Sequence, residues 1–141
     1  MMNHWVLWAL LSAIFAGLTA ILAKIGVQDV NSHLATAIRT SVVLVFTWAL
    51  ALPFVNKTNF AAIDKRAWIF LGLSGIATGL SWICYFRALK LGPASLVAPI
   101  DKLSVVFVLI LAACFLGETL TGRQWVGAGL IVAGALVLAV K

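Results

Sequence analysis

The chain has 141 residues, of which 64% are hydrophobic and only 10% charged, with a formal net charge of +6. A soluble domain carries roughly 25% charged residues, so this composition cannot clothe a water-facing surface and excludes a soluble domain. The ten Lys and Arg are scattered at the ends of apolar runs rather than clustered, which fits membrane-flanking anchors and argues against a nucleic-acid partner.

The first apolar run, Trp5 to Ala23, has no charge over 19 residues. That is longer than the ~7–15 apolar residues of a signal peptide, so it reads as a membrane span rather than a cleaved leader. Four more runs follow, and the predicted spans lie near 5–25, 34–53, 67–89, 93–116 and 123–140. Each supplies the about 20 helical residues that cross a hydrocarbon core ~30 Å thick. Gln28-Asp29-Val30-Asn31-Ser32 separates the first two, and Pro53 with Asn56-Lys57-Thr58-Asn59 and Asp64-Lys65-Arg66 separates the next two. Gly92-Pro93 is a tight break whose proline suits the first turn of the fourth helix. Gly117-Glu118 to Gly122 closes the series. None of the runs alternates as a barrel wall would. The chain therefore reads as an all-α integral membrane protein, one domain over 1–141, multi-pass, of the kind found in a bacterial plasma membrane.

An odd number of spans puts the two ends on opposite sides, side A at the N-terminus and side B at the C-terminus. Trp5, Trp8, Trp48, Trp68 and Trp125 fall toward side A as an interfacial belt. Trp82 lies deeper, toward side B. Cys84 and Cys114 sit inside apolar runs and read as small core residues. His4 and His33 lie at span ends, and no metal cluster, nucleotide loop or catalytic triad is visible, so neither a cofactor nor an enzyme is expected.

The third span carries Ser74, Thr78, Ser81 and Tyr85 on one helical face, and the second carries Thr36, Thr40 and Thr47 with Arg39 beside them. Ser12 and Thr19 share a face of the first span, and Asp101 and Ser104 one of the fourth. Such stripes line an interior, or each hydroxyl bonds the carbonyl four residues back and lines nothing. Asp101 and Lys102 lie about eight residues into their span, roughly 12 Å deep, and Arg39 about five residues into one that starts on the same side. A charge at mid-bilayer costs at least ~2.5–3.5 kcal/mol, so these groups should face one another or a wet cavity. A bridge from Asp101 to Arg39 or to Lys102 that merely holds helices together is the alternative. Pro99 cannot donate to the carbonyl of Ser95, so the fourth helix should kink or open just before Asp101, as broken helices do at binding sites in transporters. Gly72, Gly75 and Gly79, and on the fifth span Gly129 with Ala133 and Ala135 with Ala139, form small-residue faces suited to close helix packing.

The segment from Ala88-Leu89-Lys90-Leu91-Gly92-Pro93 through Ala94-Ser95-Leu96-Val97-Ala98-Pro99-Ile100 resembles the EamA family of the drug/metabolite transporter superfamily. So do Phe115-Leu116-Gly117-Glu118 and Thr121-Gly122-Arg123-Gln124-Trp125-Val126-Gly127. Usual members have ten helices in two inverted five-helix halves around a central cavity, and this sequence resembles one half. The resemblance implies a transporter of small molecules, commonly an exporter, that needs a partner to complete its pathway. Glu118, in the family's Gly-Glu motif, should brace a loop with Arg123. Combined with the residue reading, it implies a homodimer in membrane lipid moving a small polar metabolite by alternating access. Arg39, Thr40, Ser81, Trp82, Tyr85, Asp101 and Lys102 would be its substrate-binding residues, and Asp101 could carry a coupling proton. The excess of cation over anion favours an anionic substrate. Two further readings stay open: a lipid-linked sugar flippase or flippase subunit, and a non-transporting subunit of a heteromeric complex.

Orientation follows the Lys and Arg near span ends. Side A carries Lys57, Lys65, Arg66 and Arg123, and side B carries Lys24, Arg87, Lys90 and Lys141, four against four. With no bias, the chain should insert both ways and pair as an antiparallel homodimer. C-terminal reporters active on opposite sides of the membrane should both respond, and lysines added to one side should silence one of them. A single responding reporter in the untouched protein would exclude dual insertion.

Overall fold

The protein was described from a computed structural model, which covers residues 4–55 and 63–139. The polar stretch Asn56–Asn59, with Lys57, and the expected end of the fifth span at Val140 with Lys141 lie outside the described residues, as does the His4 side chain. Six helices run in chain order: α1 (His4–Val27), α2 (Ser32–Val55), α3 (Lys65–Leu91), α4 (Ala94–Asp101), α5 (Ser104–Phe115) and α6 (Gly122–Ala139). They make five stretches long and apolar enough to cross a membrane, because α4 and α5 together form one, Ala94–Phe115. Hydrocarbon offers the backbone no hydrogen-bond partners, so each span satisfies its own as a helix. Large apolar side chains point outward along every helix, Trp5, Ile14, Val45, Leu71 and Leu130 among them. In lipid they need no cover.

By its contacts the chain divides into two compact units, Met1–Leu22 with Gly92–Lys141 and Ala23–Leu91, the first boundary falling inside α1. In the unit spanning 23–91, α2 packs on α3. Ala23 and Val27 from the end of α1, Thr36 from α2, and Phe86 and Leu89 from α3 form its buried centre. Two lysines clasp the same end. Lys24 Nζ donates to the carbonyl of Leu89 at 2.6 Å, and Lys90 Nζ donates to that of Val30 at 2.7 Å. Leu89 lies in the last turn of α3, where carbonyls lack intrahelical donors and a cation is favoured. The second clasp ties the end of α3 to the loop before α2, so the two helices run antiparallel. Asn31 caps α2, its Oδ1 accepting from the backbone N–H of His33 at 2.9 Å.

In the other unit, α6 packs on α4 and on α5. Its buried side chains are Ala128 and Ala135, and α5 buries Ala112. Where hydrophobic transfer gives no drive, small residues that allow close approach supply the packing instead. Thr121 starts α6, its backbone N–H and hydroxyl both donating to Gln124 Oε1 at 2.7 and 2.9 Å. This is the glutamine half of the capping box that a Thr-x-x-Gln sequence offers. Gly117, with φ 66°, ends α5 in the left-handed region that favours glycine.

Several expectations change. Pro53, expected to break the second span, lies inside the last turn of α2, which ends at Val55. Its fixed φ is helical, and only one hydrogen bond near a helix end is lost. Pro93 stands one position before α4 as its N-cap, in extended conformation. Cys84 and Cys114 are exposed rather than core, since the few buried positions go to other residues. Glu118 stays exposed without an ion pair to Arg123, and Gln124 does the bracing. Gly72, Gly75, Gly79 and Gly129 have no heavy atom of their own unit within 4 Å of where a Cβ would stand. The packed face of α6 is that of Ala128 and Ala135, roughly a third of a turn from Gly129 and Ala133 at 100° per residue.

Leu89 is fully buried and Leu91 is 82% exposed. Leu89→Ala should therefore cost about 2 kcal/mol through lost contacts, and Leu91→Ala less than about 0.5 kcal/mol. Thermal unfolding in one detergent measures both, and equal losses would misplace the centre of this unit.

Candidate functional site

The residues singled out in the sequence fall in both units: Arg39, Thr40, Ser81, Trp82 and Tyr85 in the unit of α2 and α3, Asp101 and Lys102 in the other. Arg39 is the eighth residue of α2, about 10 Å along the helix from its start. Trp82 and Phe86 are one turn apart on α3. The antiparallel packing brings these three together. The Arg39 Cζ lies over the Trp82 ring, 4.2 Å from its centroid, and 5.5 Å from that of Phe86. Both are within the ~6 Å reach of a cation–π interaction. Arg39, Trp82 and Tyr85 are half-buried, and Tyr85 is near enough to interact electrostatically with the guanidinium. Among the described residues of its unit, no carboxylate pairs with Arg39.

The hydroxyls behave differently from a lining. Thr36 donates to the carbonyl of Ser32, Thr40 to that of Thr36 and Thr78 to that of Ser74, each at 2.8 Å. Thr47 donates to Val43 at 2.8 Å and Ser41 to Ala37 at 3.0 Å. Their hydrogens are committed to their own helices, which leaves the oxygens only as acceptors. Thr40 nonetheless faces an open groove of about 430 Å³ between α2 and α3, shared with His33, Thr36, Ser41, Gly79 and others. Arg39 does not line this groove. Ser81 is exposed.

In the other unit, Lys102 Nζ donates to Asp101 Oδ2 at 3.4 Å, the one ion pair among the described residues. Asp101 is half-buried and Lys102 exposed. The helix does break, but one residue later than expected, at Lys102 and Leu103. It tightens rather than opens. Lys102, Leu103, Val105 and Val106 all donate to carbonyls three residues back, at 3.0–3.1 Å. These are the short-range bonds of a tighter turn, and they keep the backbone paired through the break. Among the described residues no group of three or more His, Cys, Asp or Glu could hold a metal.

This geometry of a membrane-embedded cation and a proline-broken span belongs to a chain whose residues 3–140 match the EamA-like transporter family. The chain belongs to that family. It is 53% identical over 140 residues to an uncharacterized transporter in the cobO 3′ region of a Sinorhizobium species, covering 99% of each chain. It is 25% identical to the uncharacterized transporter YxxF of Bacillus subtilis, over all of this chain but 44% of that one. Over 86 residues, 59% of this chain and 78% of the other, it is 30% identical to an Escherichia coli protein. That protein is named probable 4-amino-4-deoxy-L-arabinose-phosphoundecaprenol flippase subunit ArnE. No solved structure matches the chain. As an EamA-like protein with five spans it is a multi-pass membrane protein of a transporter family, and its bacterial relatives point to the inner membrane.

Sequence reasoning named Arg39 and Trp82 separately but missed their stack. The i, i+4 aromatic pair Trp82–Phe86 on one face, at the depth of an arginine on the neighbouring span, is the signal that would have found it.

Because the Thr40 hydroxyl bonds its own helix, Thr40→Val should leave the unfolding free energy within about 0.5 kcal/mol of the parent protein. A loss above about 2 kcal/mol in thermal unfolding would mean that this oxygen serves another buried group.

Proposed function

We propose that this EamA-like chain is a secondary transporter, an exporter, that moves a small polar metabolite bearing a carboxylate or phosphate by alternating access as a homodimer. The observation that carries the reading is Arg39: a guanidinium about 10 Å along a membrane span, stacked on aromatic rings, with no carboxylate partner among the described residues of its unit. Charges are kept at such depth chiefly for function. Arg39 supplies the positive centre with Trp82 and Tyr85 beside it, Ser81 and Thr40 are proposed as further substrate contacts away from the guanidinium, and Asp101 at the helix break is the group proposed to carry a coupling proton.

The homodimer is supported by length. The chain spans 99% of the Sinorhizobium relative but 44% of the Bacillus one, which leaves room in the longer chain for a second such unit. Two copies would supply in trans what a longer chain can hold in one piece. The even spread of Lys and Arg supports an inverted pair, and the outward face of Gly129 and Ala133 is a surface on which two copies could approach closely.

A second reading, a lipid-linked sugar flippase or a subunit of one, is favoured by the likeness to ArnE and by the open groove between α2 and α3. A headgroup would lie among His33, Thr36, Thr40 and Ser41.

Proteoliposomes separate the two readings. The transporter reading expects counterflow of at least one labelled organic acid or phosphate ester, with Arg39→Gln slowing it by on the order of tenfold or more and Arg39→Lys retaining part. Movement of a labelled lipid with no anion counterflow would replace it with the flippase reading.

A further inference from the structure

We propose that Arg39, Trp82 and Phe86 form an oxyanion cradle in which Trp82 is a positioning residue, presenting the guanidinium so that it takes a carboxylate or phosphate through paired N–H donors. The inference deepens the anionic-substrate reading and rests on it.

Donor bookkeeping in the unit of α2 and α3 leads there. A guanidinium carries five N–H donors and can never act as an acceptor. Several other donors of this unit are engaged, Thr36, Thr40, Thr47 and Thr78 with their own backbones and Lys24 and Lys90 with carbonyls of Leu89 and Val30, while Arg87 and Ser81 are exposed. Arg39 is half-buried and makes no hydrogen bond to a described residue of its unit; its partners are ring faces. A ring face attracts the positive charge but satisfies N–H groups poorly, so donors of a desolvated cation are left directed away from the indole. Planar oxyanions match that fork with two parallel bonds, at greater strength than neutral partners give.

The rings also fix where the fork points. Without them an arginine about 10 Å from the helix start can extend its long stem toward the interface. The indole at 4.2 Å holds it inside the span instead. The order of residues suits the task, since Trp82 and Phe86 stand one turn apart on α3 and contact the cation from a second helix, so ligand binding would report directly on how α2 and α3 sit. One chemistry could come from two sources, a soluble anion or the phosphate of a lipid headgroup, and the test separates them.

The full-length protein is purified in an uncharged detergent and titrated by calorimetry with inorganic phosphate and with acetate, at constant ionic strength set with chloride. Saturable binding of either anion is expected, absent in Arg39→Gln, weakened about tenfold in Trp82→Leu and restored to within about threefold in Trp82→Phe. A merely structural Trp82 would lower thermal stability in the Leu variant while leaving the dissociation constant unchanged, and that result overturns the cradle. So does anion binding that survives Arg39→Gln, or no binding of either anion together with no Arg39-dependent binding of phosphatidylglycerol in nanodiscs. Phosphatidylglycerol binding that depends on Arg39 and Trp82, without binding of the soluble anions, keeps the cradle and overturns the soluble-metabolite reading. Anion binding with the expected variant pattern but no counterflow in proteoliposomes keeps the cradle and overturns the transport reading. If Trp82→Leu does not fold, quenching of Trp82 emission by the bound anion decides, in a protein whose other five tryptophans are phenylalanine. Quenching that is absent from its Arg39→Gln variant supports the cradle, and emission indifferent to the anion overturns it.

Discussion

A backbone in hydrocarbon has to satisfy its own hydrogen bonds, and that constraint shapes everything else in this protein. It makes every span a helix. It commits threonine hydroxyls to carbonyls of their own turn, and it keeps the backbone after Pro99 paired through a tighter stretch rather than a gap. It also removes the usual reason to bury large side chains. Most Leu, Ile, Phe and Trp side chains face outward, while few described residues are buried and alanine is the commonest of them. Packing between helices then rests on close approach and a few polar clasps, such as those of Lys24 and Lys90.

The same constraint makes an intramembrane cation conspicuous. Arg39 can neither lose its proton nor reach bulk water cheaply, so something must replace hydration. In this unit aromatic faces do so in part, and they leave directional donors over. In the proposed reading, that unmet hydrogen bonding links fold to function. A transporter has to bind weakly enough to release its cargo, and a cation partly satisfied by rings has less to gain from a ligand than a bare one.

The spans were legible in the sequence, because length and uninterrupted apolarity carry that signal alone. The helix break near Asp101 was legible too, through the chemistry of Pro99, though its exact place and its tightened form were not. Pro53 misled because a proline in a last turn costs little. The cysteines misled because an apolar run implies burial only when the solvent is water. Glycine patterns named faces that could pack, whereas α6 uses Ala128 and Ala135 and leaves Gly129 and Ala133 outward. Side-chain periodicity cannot choose between two small-residue faces of one helix. Among the candidate residues, depth alone singled out Arg39, Asp101 and Trp82. The pairing of Arg39 with Trp82 depends on the antiparallel register of α2 and α3, which no single helix encodes.

The central claim, that the guanidinium of Arg39 is held against an indole inside the membrane, has a direct spectroscopic signature. In full-length protein labelled with ¹⁵N-arginine and held in lipid nanodiscs, ring current from Trp82 should move one arginine side-chain Hε resonance well upfield. Arg39→Lys should remove that resonance, and Trp82→Leu should return it to the ordinary range. Arginine resonances that all sit in the ordinary range, unchanged by Trp82→Leu, would contradict the account.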